Sequence, residues 1–414
     1  MSHRHGSAKS AGGTEPDISP GTRRVLTVAV IPLVLATIVG LAVLWPRGTT
    51  PEVATGLEFP AELVDGTVTA TDTSPCPGIT DDVGPECVVA SVKLTSGANK
   101  GAIIFLDVTP GPASPLFANG DRIVMGHVTD LPVGAPEGSE YYFADYQRDT
   151  PLLLLALLFA AAVVLLGRWR GLTALAALAV SLGVLMLFVL PAILQGSSPV
   201  AVAIVGSAAI MTVALYLSHG VNMRTTTALL GTLVSLALTG VLASIFVGVT
   251  ELSGLASEEA VYLQISADSI NLQGLILAGI IIGSLGVLDD VTVTQASAVW
   301  ELRKANREWG FAELYRPALR IGRDHIASTV NTLVLAYAGA SLPLLILFTQ
   351  AQRPLVEVAA GEVVATEIVR TLVGSIGLVA SVPITTALTA AAVAGIPALP
   401  GRLRRRPDPK PLPM

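Results

Sequence analysis

Gly283-Ser-Leu-Gly-Val-Leu-Asp-Asp-Val-Thr-Val-Thr-Gln-Ala-Ser-Ala-Val-Trp-Glu-Leu-Arg303 opens as an apolar helix and then sets two carboxylates side by side. Upstream, from Leu272 to Leu288, the chain carries no charged residue. A run of that length and apolarity is what a helix needs to cross a hydrocarbon core. The stretch therefore decides the class, an α-helical integral membrane protein. Composition agrees: 52% of residues are hydrophobic, 14% are charged and mean hydropathy is +0.67, well away from soluble globular domains.

Working outward, about eight runs of this kind predict about eight transmembrane helices. They are Val25 to Trp45, Pro151 to Leu166, Leu172 to Leu194, Val200 to Leu217, Thr226 to Val249, Leu272 to Asp289, Ile326 to Phe348 and Ile368 to Val393. The first is too long, and too poor in a small-residue cleavage site, for a secretory signal peptide, so it reads as a retained anchor over residues 23–46. Basic residues in short loops set the orientation. With both termini cytoplasmic, about 18 of the 25 basic residues fall inside and about 22 of the 31 acidic residues outside. The expected location is the plasma membrane of a bacterial cell.

Residues 1–22 are Gly, Ser and Pro rich and read as a disordered cytoplasmic tail; residues 397–414 read as a basic cytoplasmic tail. His3 and His5 could meet a metal in principle, but two imidazoles in such a tail do not make a site, and no metal or cofactor is expected. Between the first two spans, residues 52–147 alternate in strand fashion through AELVDGTVTAT, ECVVASVKL, KGAIIFLDVT, DRIVMGHVTD and EYYFADY. About five short strands predict a small extracytoplasmic β-barrel of OB or SH3 type, closed or partly open. Its two cysteines, Cys76 and Cys87, are expected to form a disulfide in that oxidising compartment, worth about 3 kcal/mol in the chain-entropy model. The remaining segment, 150–396, is expected to be a seven-helix transmembrane core.

Within that core, Gly279, Gly283, Gly286, Asp290, Thr294, Ser297 and Glu301 recur at steps of three or four and share one helical face. The glycines predict a close-packed seam that leads into a polar stripe. Asp289 points about 100° away, with Thr292 beneath it. Adjacent carboxylates repel, so near a membrane one of them holds a proton, binds a cation or pairs with a base. The plainer alternative places both at the cytoplasmic edge, solvated or paired with the Arg-rich loop that follows. From the stripe, Asp290 is expected to line an interhelical cavity and Asp289 to pair with a basic neighbour such as Arg323.

The seventh span repeats the design. Asp324, Ser328 and Asn331 form one stripe, and His325, Thr329, Thr332, Ala336 and Gly339 form the next. His325 is a candidate proton carrier, or else a helix cap with Asp324. On the eighth span Arg370, Gly374, Gly377, Ser381 and Thr385 make a third stripe, and Pro383 should kink the helix by removing the bond to the carbonyl of Val379. Arg370 stands three residues from Glu367 for local pairing. His219 and Asn222 either cap helices or approach the acidic pair from the cytoplasmic side. The segment 298–325 mixes Trp300, Trp309, Phe311, Leu314 and Tyr315 with six basic residues, which suits an amphipathic helix on anionic lipid head groups rather than a nucleic-acid site.

GVLDDVTVTQASAVWELR, RIGRDHIASTVNTLVLAYAGASLPLLI and EIVRTLVGSIGLVASVPITT, together with SHGVNMRTTTALLGT, resemble the YibE/F-like bacterial multispanning membrane proteins over about residues 25 to 395. The resemblance supports the architecture and points to Asp289, Asp290, Thr294, Gln295, Arg323, Asp324, His325, Asn331, Thr332, Glu367, Arg370, Gly374, Gly377, Pro383 and Thr385. It implies no substrate.

The leading expectation is a secondary transporter or channel-like permease for an ion or small polar solute, proton-coupled through Asp289, Asp290 and His325. The polar stripes of the last three helices, including Gln295, Ser381 and Thr385, would line its path. Arg323, Glu367 and Arg370 would orient charges, and the glycines and Pro383 would shape helix packing. No P-loop occurs, so ATP is not its direct energy source. No enzymatic activity is expected. An aspartyl protease needs two facing helices and adjacent Asp residues diverge, while a metal-holding lipid transferase is a weaker reading. The alternative from another class is a membrane-assembly or envelope-organising protein whose outer β-domain binds a protein partner. Expected partners are the bilayer and a small solute or ion, with no nucleic acid; the sequence leaves the oligomeric state open.

Overall fold

The computed structural model describes residues 20–48, 61–75, 86–108, 111, 114–128, 140–266, 270–350 and 354–394. The chain forms two compact units, one of residues 53–166 and one that joins residues 1–52 to 167–414.

The first unit is a five-stranded antiparallel sheet followed by α2. The strands are β1 (Ala61–Pro75), β2 (Glu86–Leu94), β3 (Ile103–Val108), β4 (Arg122–Val128) and β5 (Tyr141–Tyr146), in the order β3-β2-β1-β4-β5. β1 is long because its first half pairs with β4 and its second with β2. One face gathers Val64, Val68, Val92, Leu106, Ile123 and Met125 into a core, as period-2 alternation requires. Among the described residues β3 and β5 are edges, so the sheet is a half-barrel rather than a closed one. Cys87 is buried on β2; its expected partner, Cys76, lies outside the described residues. The expected basic tail and residues 1–19 of the expected disordered tail lie outside them too, while residues 20–22 of the latter are the first turn of α1.

The second unit is helical. It contains α1 (Pro20–Leu44), α3 (Trp169–Val184), a π-helical turn (Leu185–Val189), α4 (Leu190–Leu194), α5 (Pro199–His219), α6 (Met223–Val249) and α7 (Glu258–Ser266). Then come α8 (Leu272–Ala305), α9 (Phe311–Ala340), α10 (Leu342–Gln350), α11 (Leu355–Ala360) and α12 (Glu362–Ala394). Counting α2 (Asp149–Gly167) and treating α3 to α4 as one span, seven helices among the described residues are long and apolar enough to cross a membrane. The pair α9 and α10 makes an eighth, bent by 65°. The expected span from Ile326 to Phe348 is thus broken within its length. Pro343 has no N–H for the carbonyl of Gly339, and the helix breaks at Ser341. By contrast α12 runs on through Pro383 as one helix.

The bundle is organised around α6, α8 and α12, which pack on one another; α5 adds to α8, α3 and α1 to α5, and α9 to α12 and α8. Lipid gives apolar helices little reason to associate, so close approach at small residues holds such bundles together. Here α6 and α12 lie antiparallel with reciprocal fits. Gly231 receives Thr385, and Gly377 receives Thr239, so closely that neither glycine has room for a methyl. Gly322 of α9 likewise leaves space for Gln295 and Val382.

Residues 298–325 do not form one interfacial helix. α8 ends at Ala305 and α9 starts at Phe311, with Arg303 Nη1 donating to the Trp309 carbonyl at 2.6 Å across the turn. Trp300 and Leu314 are buried against Val299, Ala318, Ala390 and Val393. Their aromatic and aliphatic surface is used inside the bundle, which the basic neighbours in the sequence obscured.

Candidate functional site

The depth of the acidic pair follows from helix register. The hydroxyls of Thr232 on α6 and Thr292 on α8 meet at 2.6 Å, both fully buried. Gly240 and Ile281 continue this antiparallel crossing one end further on. Asp289 is therefore level with about Ser235, roughly 16 Å along the axis from Arg224 at 1.5 Å per residue. Thr292 also donates to the Asp289 carbonyl at 3.1 Å, which ties the carboxylate's own turn to that crossing. The pair thus stands in the middle of α8 rather than at either end of it.

At this level the two carboxylates face different spaces. Asp289 is half-buried, and its Oδ1 is enclosed without a hydrogen-bond partner. It forms one wall of a cavity of about 490 Å³, whose other polar residues are Arg170 and Ser181 of α3, Ser218 and His219 of α5 and Arg224 of α6. Among the described residues no ion pair joins Asp289 to Arg323, so the expected pairing is corrected: the basic groups that share its cavity are Arg170, His219 and Arg224. Asn222 caps α6, accepting from the Thr225 N–H at 2.9 Å, whereas His219 lines the cavity.

Asp290 turns to another face of α8, towards α9. Its side chain is 73% exposed, and Oδ2 lies 3.9 Å from His325 Nε2 on α9, an ionic contact when the imidazole is protonated. Above it the glycine face is open rather than packed: Gly279, Gly283 and Gly286 are all exposed. A methyl at Gly279 would lie 3.9 Å from Arg370 Nη2, one at Gly283 would lie 3.3 Å from the Tyr337 hydroxyl, and one at Gly286 would meet nothing within 4 Å. The expected seam is thus a cleft, with the Arg370–Glu367 ion pair at 2.6 Å towards one end and Asp290 with His325 further along. The seam that does close is Gly231 with Gly377, and Gly231 was not among the expected residues.

The other expected path residues divide. Thr294 shares the exposed face of Asp290, and Asp324, Asn331 and Thr332 are exposed on α9, with Thr332 donating to the Ser328 carbonyl at 3.0 Å. Arg323 is exposed nearby. Gln295 is buried, and its Nε2 donates to the Ala318 carbonyl at 2.7 Å, a clamp between α8 and α9. Ser381 and Thr385 are fully buried, and Gly374 and Gly377 buried with them, in the packing of α12 against α6, α8 and α9. The three stripes accordingly do not converge on one cavity. Residues that sequence reasoning missed are Arg170 and Arg224, short-loop cations whose only signal was their place at helix ends.

No curated protein and no solved structure matches the chain. The family described as YibE/F-like protein matches residues 155–395, which takes in the acidic pair, the cavity and the cleft and leaves out the sheet. The chain belongs to the YibE/F-like family of membrane proteins.

Proposed function

We propose that the protein is a proton-coupled secondary permease of the cell membrane, with both termini cytoplasmic. In this reading Asp290 and Asp289 relay a proton between the cleft and the cavity on different faces of α8. The observation that carries it is the pair's placement: neighbouring carboxylates at mid-helix, one with an enclosed, unpartnered oxygen in a polar cavity and the other opposite a histidine in an open cleft. Carboxylates at such depth are costly unless they serve a proton or ion path. Glu367, Arg370, Tyr337 and His325 would lead to Asp290, and His219, with Arg170 and Arg224, would lead away from Asp289. Alternation would need only small shifts of α8 against α9 and α3.

Proton flux driven by a pH gradient in proteoliposomes of the full chain tests this. Asp289→Asn and Asp290→Asn should each abolish coupled flux, and native-level flux in either variant would refute the relay.

An assembly role is favoured by a different observation: the edge strand β3 exposes Ile103 and Phe105 at 58% and 63%, apolar area of the kind that partners cover. Deleting residues 52–147 separates the two readings. A permease core keeps flux, whereas an assembly factor loses its partners in a pull-down.

A further inference from the structure

Building on the permease reading, we infer that the cavity beside Asp289 binds a small oxyanion, a carboxylate or phosphate, between Arg170 and Arg224, and that the anion travels with the proton held on Asp289. Three helices bring basic residues to this cavity: α3 supplies Arg170, α5 His219 and α6 Arg224. They converge in that all three side chains line one cavity. Neither arginine takes part in an ion pair among the described residues. The one carboxylate in the wall, Asp289, lies roughly 16 Å deeper than Arg224 by helix register and joins neither of them in an ion pair.

Two guanidiniums outside any ion pair, against the single carboxylate of Asp289, give this cavity an excess of positive charge. Their planar forks match the geometry of an oxyanion better than that of any other small solute. At about 490 Å³ the cavity exceeds what a proton or a bare ion needs and falls in the size range of small-molecule sites. Charge balance supplies the link to the proton. A monoanion that moves from the arginines towards Asp289 meets a like charge unless that carboxylate is protonated, and anion plus proton cross as a neutral sum. The groups facing Asp289 in this step are Arg170, His219 and Arg224 from the neighbouring helices and Asp290 on its own.

The test uses the full chain in neutral detergent free of phospholipid. Thermal unfolding is followed in inorganic phosphate, in acetate and in chloride at equal ionic strength, with a short-chain phosphatidylglycerol as a separate arm. Phosphate or acetate should raise the midpoint above chloride. Arg170→Gln and Arg224→Gln should each weaken the apparent affinity about tenfold or more, while Arg→Lys at either position should keep part of it. The midpoint in chloride reports whether a variant is folded. Asp289→Asn should bind the anion at least as tightly yet carry no coupled proton. Absence of an anion effect, or an equal effect in the Gln variants, overturns the anion site; if Asp289→Asn still abolishes proton flux, the permease reading survives that loss. A response to the lipid alone assigns the arginines to a head group and overturns co-transport.

Discussion

Substituting Gly377→Ala tests the packing that sets the whole register. The new methyl would run into Thr239 Oγ1 and stand 3.2 Å from its Cβ and 3.4 Å from its Cγ2. Rotating Thr239 away does not relieve this without loss, because its hydroxyl donates to the Ser235 carbonyl at 2.8 Å, and breaking that bond costs about 1 kcal/mol. Separating α6 from α12 instead forfeits contact along both helices. Overpacking of this kind costs about 1–3 kcal/mol, and that is the expected loss in SDS-titrated unfolding of the purified protein followed by tryptophan fluorescence. Thr239→Ala removes the obstructing oxygen. The double variant should therefore recover about 1–2 kcal/mol relative to the sum of the single changes. A Gly377→Ala protein that unfolds like the native one, or a double variant as unstable as that sum, would refute the reciprocal fit.

Three further outcomes are expected. Gln295→Leu leaves the Ala318 carbonyl without its side-chain donor and should lower stability by about 1–3 kcal/mol, whereas Gln295→Glu should be at least as harmful because it replaces the donor with a charge; the same unfolding assay measures both. The Glu362 carboxylate accepts from the Ser253 N–H at 2.6 Å, the Gly254 N–H at 2.8 Å and the Ser253 hydroxyl, so Glu362→Ala should speed amide hydrogen exchange at Ser253 and Gly254 and leave the Thr232 region unchanged. In the sheet unit, the Arg148 side chain, and then the Tyr146 N–H, hold the Asp145 carboxyl below its ordinary range. A depressed carboxyl contributes stability that is present above its unfolded pKa and lost as pH falls through its folded one. Arg148→Gln should move the Asp145 titration, followed by NMR, upward towards the free value.

Much of the fold was legible because hydropathy and period-2 alternation report burial directly. The helical spans and the five strands fall where composition put them, and the divergence of Asp289 from Asp290 follows from helix geometry alone. What one helix cannot disclose is which neighbour each face meets. Gly279, Gly283 and Gly286 had the spacing of a packed seam, yet they border a cleft, while the packed glycines are Gly231 and Gly377, set by the thriving fit of threonines from another helix. The same blindness reversed the two carboxylates: Asp289, not Asp290, borders the enclosed cavity. Arg170 and Arg224 were not among the expected site residues, because their meeting with His219 in one cavity depends on three helices packing together. Trp300 and Leu314 suggested a membrane surface, since the sequence does not show that Ala390 and Val393 return to cover them.

The central claim is the proposed relay, in which the cavity beside Asp289 and the cleft beside Asp290 open to opposite faces of the membrane. Cysteine accessibility tests it most directly: Asp289→Cys and Asp290→Cys are each labelled in oriented membranes with a membrane-impermeant thiol reagent from one side at a time, with the native chain, which carries only Cys76 and Cys87, as the blank. The account predicts that position 289 labels from the side of Arg170 and Arg224 and position 290 from the other. Labelling of both positions from the same side, at equal rates, would contradict it.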